Sequence, residues 1–356
     1  MTPKFHTLNI AEVRSETEDT VSILFDVPEH LKSDYVFLPG QYLTLRATIN
    51  GEDTRRSYSI CAAPHEDELR VAVKQVENGV FSSFANDTLK AGDKMDVMTP
   101  TGNFKLEAKA EHKKSYALFA AGSGITPILS IAKTILKEEP KSDISLFYGN
   151  KGFNTIIFRE ELEAIKNLNM NDFRLVHILS RENLGNQIQK GRIDKEKCLN
   201  LHKAFMNSVQ VDEVFICGPE SMIHAVKDAM EEVGVKKENI HFELFTSPGE
   251  NKIVEKATAN DPNVNSNVHI ILDGEQIDIA LDSQGDNILD AAQKAGADLP
   301  FACKGGVCCT CKAKILEGTA VMDVNYALEP DEVEAGYILT CQAHPTSEKL
   351  TVSFDD

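Results

Sequence analysis

The chain has 356 residues, more than one hydrophobic core usually serves, so two or three domains are expected. Its composition, 42% hydrophobic and 26% charged with no Trp, is that of an ordinary globular protein, and its net charge of −18 argues against nucleic acid as a partner. No apolar run approaches the roughly 18 residues of a membrane span. The start, Met1-Thr-Pro-Lys-Phe-His-Thr-Leu-Asn-Ile10, lacks the apolar core of a signal peptide, so a cytoplasmic location is expected.

Residues 1–110 read as short strands separated by turns. Apolar and polar residues alternate in Val21–Val27, Tyr42–Thr48 and Leu69–Lys74, with Gly40, Gly51, Gly92 and Pro100 as punctuation. Strands at this spacing predict a small antiparallel β-barrel. On one of them, Arg55-Arg56-Ser57-Tyr58-Ser59-Ile60 offers a flat ring for stacking beside a cation for a pyrophosphate. Downstream, Asn78-Gly79-Val80-Phe81-Ser82-Ser83 puts a glycine and two hydroxyls at a helix start, where free N–H groups favour phosphate. Either stretch alone is more often a half-exposed strand or a plain turn.

Residues 111–246 alternate strand and helix, which predicts a doubly wound parallel sheet with its ligands at the carboxyl ends of the strands. Strands are expected over Tyr116–Ala120, Ile144–Tyr148, Phe173–Leu179, Val211–Cys217 and Ile240–Phe245. Helices are expected over Ile128–Leu136, Glu160–Leu168 and Ser221–Val233. Gly122-x-Gly124-x-x-Pro127 follows the first strand; it departs from the six-position glycine fingerprint, but a buried strand, a glycine turn and a helix start are where a pyrophosphate binds. Tyr148-Gly-Asn-Lys151 ends the second strand without a carboxylate for a ribose 2′-hydroxyl. Arg181, after the third strand, suits a 2′-phosphate, so NADPH is expected ahead of NADH, the plain alternative being a surface loop arginine.

Residues 247–266 turn to Ser, Pro, Gly, Asn, Asp and Lys without periodicity and read as a linker. From 267 to 356, Val268–Leu272 and Ile277–Leu281 flank Asp273-Gly274, a strong hairpin signal, and a helix over Asn287–Ala295 stops at Gly296. With a strand over Lys312–Leu316, this predicts an α+β module of the β-grasp kind. From Asn267 onward, 16 acidic residues against 5 basic ones leave −11. An acidic face can steer docking onto a basic redox partner, and it also simply favours solubility.

Within this last part, Cys303, Cys308 and Cys311 give C-x4-C-x2-C with Cys341 thirty residues on, the ligand spacing of a plant-type [2Fe–2S] cluster. Gly305 and Gly306 let the backbone fold closely around sulfur. Cys309 lies off the spacing and reads as a free thiol, a candidate for oxidation. A zinc site more often pairs two short Cys or His clips, and disulfides are not expected without a secretion signal.

Taken together, residues 1–246 resemble the ferredoxin–NADP reductase superfamily and 267–356 resemble plant-type ferredoxins. The runs Arg55–Ile60, Phe215-Ile-Cys-Gly-Pro219, Gly296–Cys308 and Leu328-Glu-Pro-Asp-Glu332 further resemble reductases that serve phenylacetyl-CoA epoxidation. The resemblance implies FAD rather than FMN, held by Arg56, Tyr58, Ser59 and Lys74, with Gly79, Ser82 and Ser83 at its pyrophosphate. It implies a nicotinamide pocket from Gly122, Gly124, Thr126, Cys217, Gly218 and Pro219, and places Glu243 and Phe245 beside the isoalloxazine. Thr126, Cys217 and Glu243 are the candidates for acting at the hydride-transfer site. Cys303, Cys308, Cys311 and Cys341 are the implied cluster ligands. The implied partner is the oxygenase component of a multicomponent monooxygenase, a di-iron phenylacetyl-CoA epoxidase. A ring-hydroxylating or steroid hydroxylase partner is the alternative, and a zinc-stabilised interaction protein is a distant one.

Overall fold

The computed structural model describes residues 4–207, 210–245 and 263–355. The first of its three large sheets is antiparallel. It is built from β1 (Phe5–Thr17), β2 (Thr20–Asp26), β3 (Tyr42–Ile49), β4 (Glu52–Ser59), β5 (Leu69–Lys74) and, after helix α1 (Val80–Asp87), β6 (Lys94–Met98). The order β4-β3-β6-β1-β2-β5 curls until an Ile60–Val71 bridge brings the two edges together, which makes it barrel-like. The side chains of Leu8, Ile23, Leu43, Leu45, Val71 and Val73 alternate inward and fill the interior, and Phe81 of α1 plugs one end. That plug holds the start of α1 at the barrel mouth.

The second sheet is parallel, in the order β11-β10-β7-β8-β9. Its strands are β7 (Ser115–Ala121), β8 (Asp143–Asn150), β9 (Phe173–Leu179), β10 (Glu213–Gly218) and β11 (Ile240–Leu244), and its helices are α2 (Ile125–Glu138), α3 (Arg159–Leu168), α4 (Lys195–Phe205) and α5 (Glu220–Glu232). α2 and α3 cover one face and α4 and α5 the other, so the strands are buried on both sides. The chain runs outward from β7 through β8 to β9 and then crosses back to β10. The topological switch point therefore lies between the ends of β7 and β10, where an open α/β sheet binds its ligand.

α4 is not among the elements expected from the sequence. Its buried residues are only Cys198 and Leu201, set among Lys, Glu and Asn, so the apolar period is faint. Its start is fixed instead by a cap, the Asp194 carboxylate accepting the Lys197 N–H at 2.8 Å.

The third sheet has the order β13-β12-β18-β14-β16. It is formed by β12 (Asn265–Leu272), β13 (Glu275–Asp282), β14 (Lys312–Glu317), β16 (Tyr337–Leu339) and β18 (Lys349–Ser353). Helix α6 (Ile288–Lys294) packs on it, and β15 (Ala320–Met322), α7 (Pro330–Glu334) and β17 (Ala343–Pro345) complete the module. The β12–β13 hairpin turns on Asp273 and Gly274, with φ of 53° and 77°, the left-handed pair that a two-residue turn needs. Residues 246–262, most of the expected linker, lie outside the described residues, and β12 begins at Asn265. No helix among the described residues is long and apolar enough to cross a membrane.

Candidate functional site

Where the three large sheets meet there is a cavity of about 410 Å³, within the range of small-molecule sites. Strand β4 runs along it, so alternate side chains Arg56 and Tyr58 reach its wall with Ser59 at the strand end. The Tyr58 ring packs against Phe81 with centroids 5.6 Å apart, which fixes the ring plane. Lys74 ends β5 on the same wall, paired with Asp19 at 3.2 Å. Gly79 and Ser82 at the start of α1 close that side, and Ser82 Oγ accepts the Val76 N–H at 3.2 Å, tying the loop to the helix. Two cations and a helix N-terminus at one end of a part-apolar pocket suit an anion carried by a flat ring system. Among the expected residues of this loop, Ser83 turns away from the cavity and takes a hydrogen bond from Gln75 at 3.2 Å.

The second domain contributes Thr126, which is buried, from the start of α2, and Glu243, Leu244 and Phe245 from the end of β11. Thr126 Oγ1 donates to the Ser123 carbonyl at 3.0 Å. Glu243 accepts a hydrogen bond from Ser59 Oγ at 3.1 Å, joining the two domains at the cavity. Burial pushes its carboxyl up to about 8, with the Ser59 hydroxyl pulling it partly back. Burial likewise pushes the Cys217 thiol well up, helped by Glu243 nearby, so it is a protonated, unreactive thiol.

Gly122, Gly124, Cys217, Gly218 and Pro219 do not line this cavity; they form the adjoining switch point. Gly122 has φ +55°, and Tyr148 donates to its carbonyl at 2.9 Å. A Cβ on Gly124 would stand 2.2 Å from the Cys217 carbonyl, so only glycine allows the β7 and β10 ends to approach this closely. Arg181 is exposed beyond β9, its N–H bonded to the Lys151 carbonyl at 2.9 Å, at the outer rim of the same carboxyl edge.

The remaining wall comes from the third domain: Cys303, Gly305, Val307 and Cys308. The thiols of Cys303 and Cys308 are 3.1 Å apart, and the Cys341 thiol faces both Cys303 and Cys311. Among the described residues no three Cys, His, Asp or Glu side chains converge on the position of a single ion. The sulfurs stand as neighbours, Cys303 with Cys308 and Cys341 with Cys303 and Cys311, and a two-iron cluster takes four thiolates. The Gly305 N–H donates to Cys303 Sγ at 3.3 Å, and Gln342 Nε2 to Cys341 Sγ at 3.6 Å. The neighbouring Cys303 thiol and burial hold Cys308 well above the ordinary thiol range. Such a set is stable as thiolates only when a metal supplies the opposite charge, and in that sense the donors fit the cluster.

Sequence reasoning missed Tyr42. Its hydroxyl accepts the Cys309 N–H at 3.0 Å and lies 3.1 Å from Thr310 Oγ1, while its ring packs on Ala302 and Cys308. Nothing in the alternation of β3 marks Tyr42 out, because its partners lie 267 and 268 residues away.

A flavin-type pocket on a barrel, a nucleotide sheet and a four-thiol loop together define a class, the flavin and iron–sulfur reductases. Residues 7–106 match the oxidoreductase FAD-binding domain, 118–228 the oxidoreductase NAD-binding domain, and 270–346 the 2Fe-2S iron-sulfur cluster binding domain. Over 99% of its length the chain is 43% identical to a component of the 1,2-phenylacetyl-CoA epoxidase of Escherichia coli (strain K12), covering 98% of that protein. It is 31% identical over 98% of its length to the ferredoxin reductase component of the 3-ketosteroid-9-alpha-monooxygenase of Rhodococcus rhodochrous, covering 96% of it. Phthalate dioxygenase reductase has the same fold across all three domains, with a TM-score of 0.60, 23% identity and 98% of both chains covered. The chain belongs to the ferredoxin–NADP reductase superfamily, in the branch that carries a C-terminal [2Fe–2S] domain, and is an electron-transfer oxidoreductase using NAD(P)H, FAD and the cluster.

Two outcomes follow from this geometry. Cys341→Ser is expected to abolish the visible absorbance and electron paramagnetic resonance signal of a reduced cluster while flavin fluorescence on denaturation still reports one flavin per chain. For Glu243, the folded value near 8 exceeds the ordinary 4.5, so the folded state binds the extra proton between them. The stability this carries is complete below pH 4.5 and is lost as pH rises through about 8. In flavin-free protein the thermal midpoint of Glu243→Gln therefore gains on the parent across that window and runs parallel above it; a constant difference throughout would contradict the assignment.

Proposed function

We propose that this chain is the reductase component of a multicomponent oxygenase, accepting hydride from NADPH and passing the electrons singly to a di-iron oxygenase that epoxidises the ring of phenylacetyl-CoA. The observation that carries the reading is the common wall: the residues that would hold the flavin and the loop bearing Cys303 and Cys308 line the same cavity. When bound, the flavin takes two electrons as hydride and releases them one at a time, and the cluster carries each onward.

The chain's own residues orient these partners. Tyr58 supplies a flat surface beside the ring, Arg56 and Lys74 neutralise the pyrophosphate, and Gly79, Ser82 and the α1 N-terminus receive its oxygens. Gly122, Gly124, Gly218 and Pro219 leave room at the switch point for the nicotinamide nucleotide, with Thr126 and Cys217 positioning the nicotinamide toward the flavin. Glu243, neutral below about pH 8, sits beside the ring without adding charge where negative charge accumulates on reduction. Phe245 covers the outer side of the pocket. Cys303, Cys308, Cys311 and Cys341 hold the cluster, in a cytoplasm that keeps thiols reduced.

Phenylacetyl-CoA is preferred as the oxygenase substrate because the epoxidase component of Escherichia coli is similar over the whole chain, at 43% against 31% for the steroid reductase component. For the coenzyme, Arg181 is exposed at the rim, and the carboxylate next to it, Glu182, is engaged by the Phe153 N–H at 3.1 Å. That leaves a cation rather than a carboxylate for the ribose, which favours a 2′-phosphate.

Two measurements test the reading. Reconstitution with candidate oxygenases under NADPH is expected to consume phenylacetyl-CoA with the epoxidase and to leave a steroid substrate untouched with its hydroxylase; the reverse would move the assignment to the steroid system. Arg181→Ala is expected to raise KM for NADPH about tenfold, as loss of a charge-assisted hydrogen bond does, with little change for NADH. Equal effects on both coenzymes would remove the 2′-phosphate role.

A further inference from the structure

The barrel grips the third domain at points that neither flavin binding nor cluster ligation uses. Arg55 of β4 is buried, and its guanidinium Nη2 donates to Asp53 at 2.8 Å on its own strand and to Asp298 at 2.7 Å across the domain boundary. The same guanidinium stacks on the Phe301 ring, 4.2 Å from its centroid. Arg46 of β3 approaches Asp298 from the other side at 4.0 Å and is itself held by Asp96 at 3.1 Å. Asp298 and Phe301 lie five and two residues ahead of Cys303, in the segment leading straight into the thiol loop. On the far side of that loop, Tyr42 accepts the Cys309 N–H. A third tie, Asn103 Nδ2 donating to Glu332 at 2.7 Å, lies further out.

We infer that Asp298, gripped by Arg55 and Arg46, is a positioning residue for electron transfer: with Tyr42 it sets the thiol loop over the flavin pocket, so the barrel's arginines govern how fast one electron passes from reduced flavin to the oxidised cluster. The inference rests on the reading that flavin and cluster both reside in this chain. Its chemistry argues for a positioning role. Arg55 keeps Asp53 when Asp298 is lost, so no buried cation is orphaned and the barrel stays intact. The carboxylate of Asp298 is largely exposed, so its removal opens no cavity. Two cations converging on one carboxylate tolerate a neutral replacement poorly and a third cation worse. Neither Asp298 nor Arg55 lines the cavity.

The test uses the full chain with both cofactors, comparing Asp298→Glu, Asp298→Asn and Asp298→Arg. Flavin and iron content and the resonance spectrum of the reduced cluster establish that both groups are bound. Rapid mixing with NADPH then separates flavin reduction from the following appearance of reduced cluster. Flavin reduction is expected to match the parent in all three variants. Cluster reduction is expected to slow several-fold in Asp298→Asn and at least tenfold in Asp298→Arg, to recover in Asp298→Glu, and in the parent to slow as salt is raised. Amide hydrogen exchange over 40–44 and 299–311 is expected to quicken in Asp298→Arg, a readout independent of turnover. A parent-like rate of cluster reduction in Asp298→Arg, or unchanged exchange at both segments, overturns the inference. Protein purified without flavin or iron would instead overturn the underlying reading.

Discussion

The constraint from which the rest follows is that the walls of one cavity must be drawn from all three domains. The chain meets it by making the loop from Cys303 to Cys308 part of the wall of a cavity whose other walls are β4, α1 and the end of β11. Each domain is curved or ordered to suit that meeting. The barrel closes by the Ile60–Val71 bridge, which leaves β4 turned toward the third domain. The parallel sheet places its switch point beside β11, so Thr126 from the start of α2 and Glu243 from the end of β11 arrive at the same cavity.

Burial gives the cavity its electrostatics as well as its shape. It raises Glu243 to about 8 and drives Cys217 well above the thiol range. Glu243 is thereby kept neutral on the cavity wall up to about pH 8 and Cys217 stays protonated at the adjoining switch point, while the cations Arg56 and Lys74 also line the cavity. The acidic third domain meets the barrel through a carboxylate facing two arginines, so part of its excess negative charge is neutralised at the joint. The acidic excess that the sequence concentrates after Asn267 is thus divided by the fold between a joint and an outer surface.

How much of this could be read in the chain depends on the range of each signal. The hairpin at Asp273-Gly274, the glycine turn at Gly122 and Gly124, and the cysteine spacing are local signals, and the first two form the elements expected of them. The Arg55–Ile60 run is legible as a strand, but Arg55 itself is not separable from Arg56 there: only the pleat, which turns Arg55 toward Asp298 and Arg56 toward the cavity, assigns them different partners. Helix α4 escapes a reading by pattern because its few buried residues give no periodic stripe. Tyr42 carries no local signal at all, since its contacts join β3 to a loop in another domain.

Cys309 shows the same limit from the other direction. By spacing it is an extra thiol next to a ligand, open to oxidation. In the fold its N–H is taken by Tyr42 and its thiol donates to the Ala327 carbonyl at 3.4 Å. Burial, with Cys308 beside it, pushes that thiol up to about 12. Position 309 meets the barrel through its backbone: the N–H that Tyr42 accepts is available whatever the side chain.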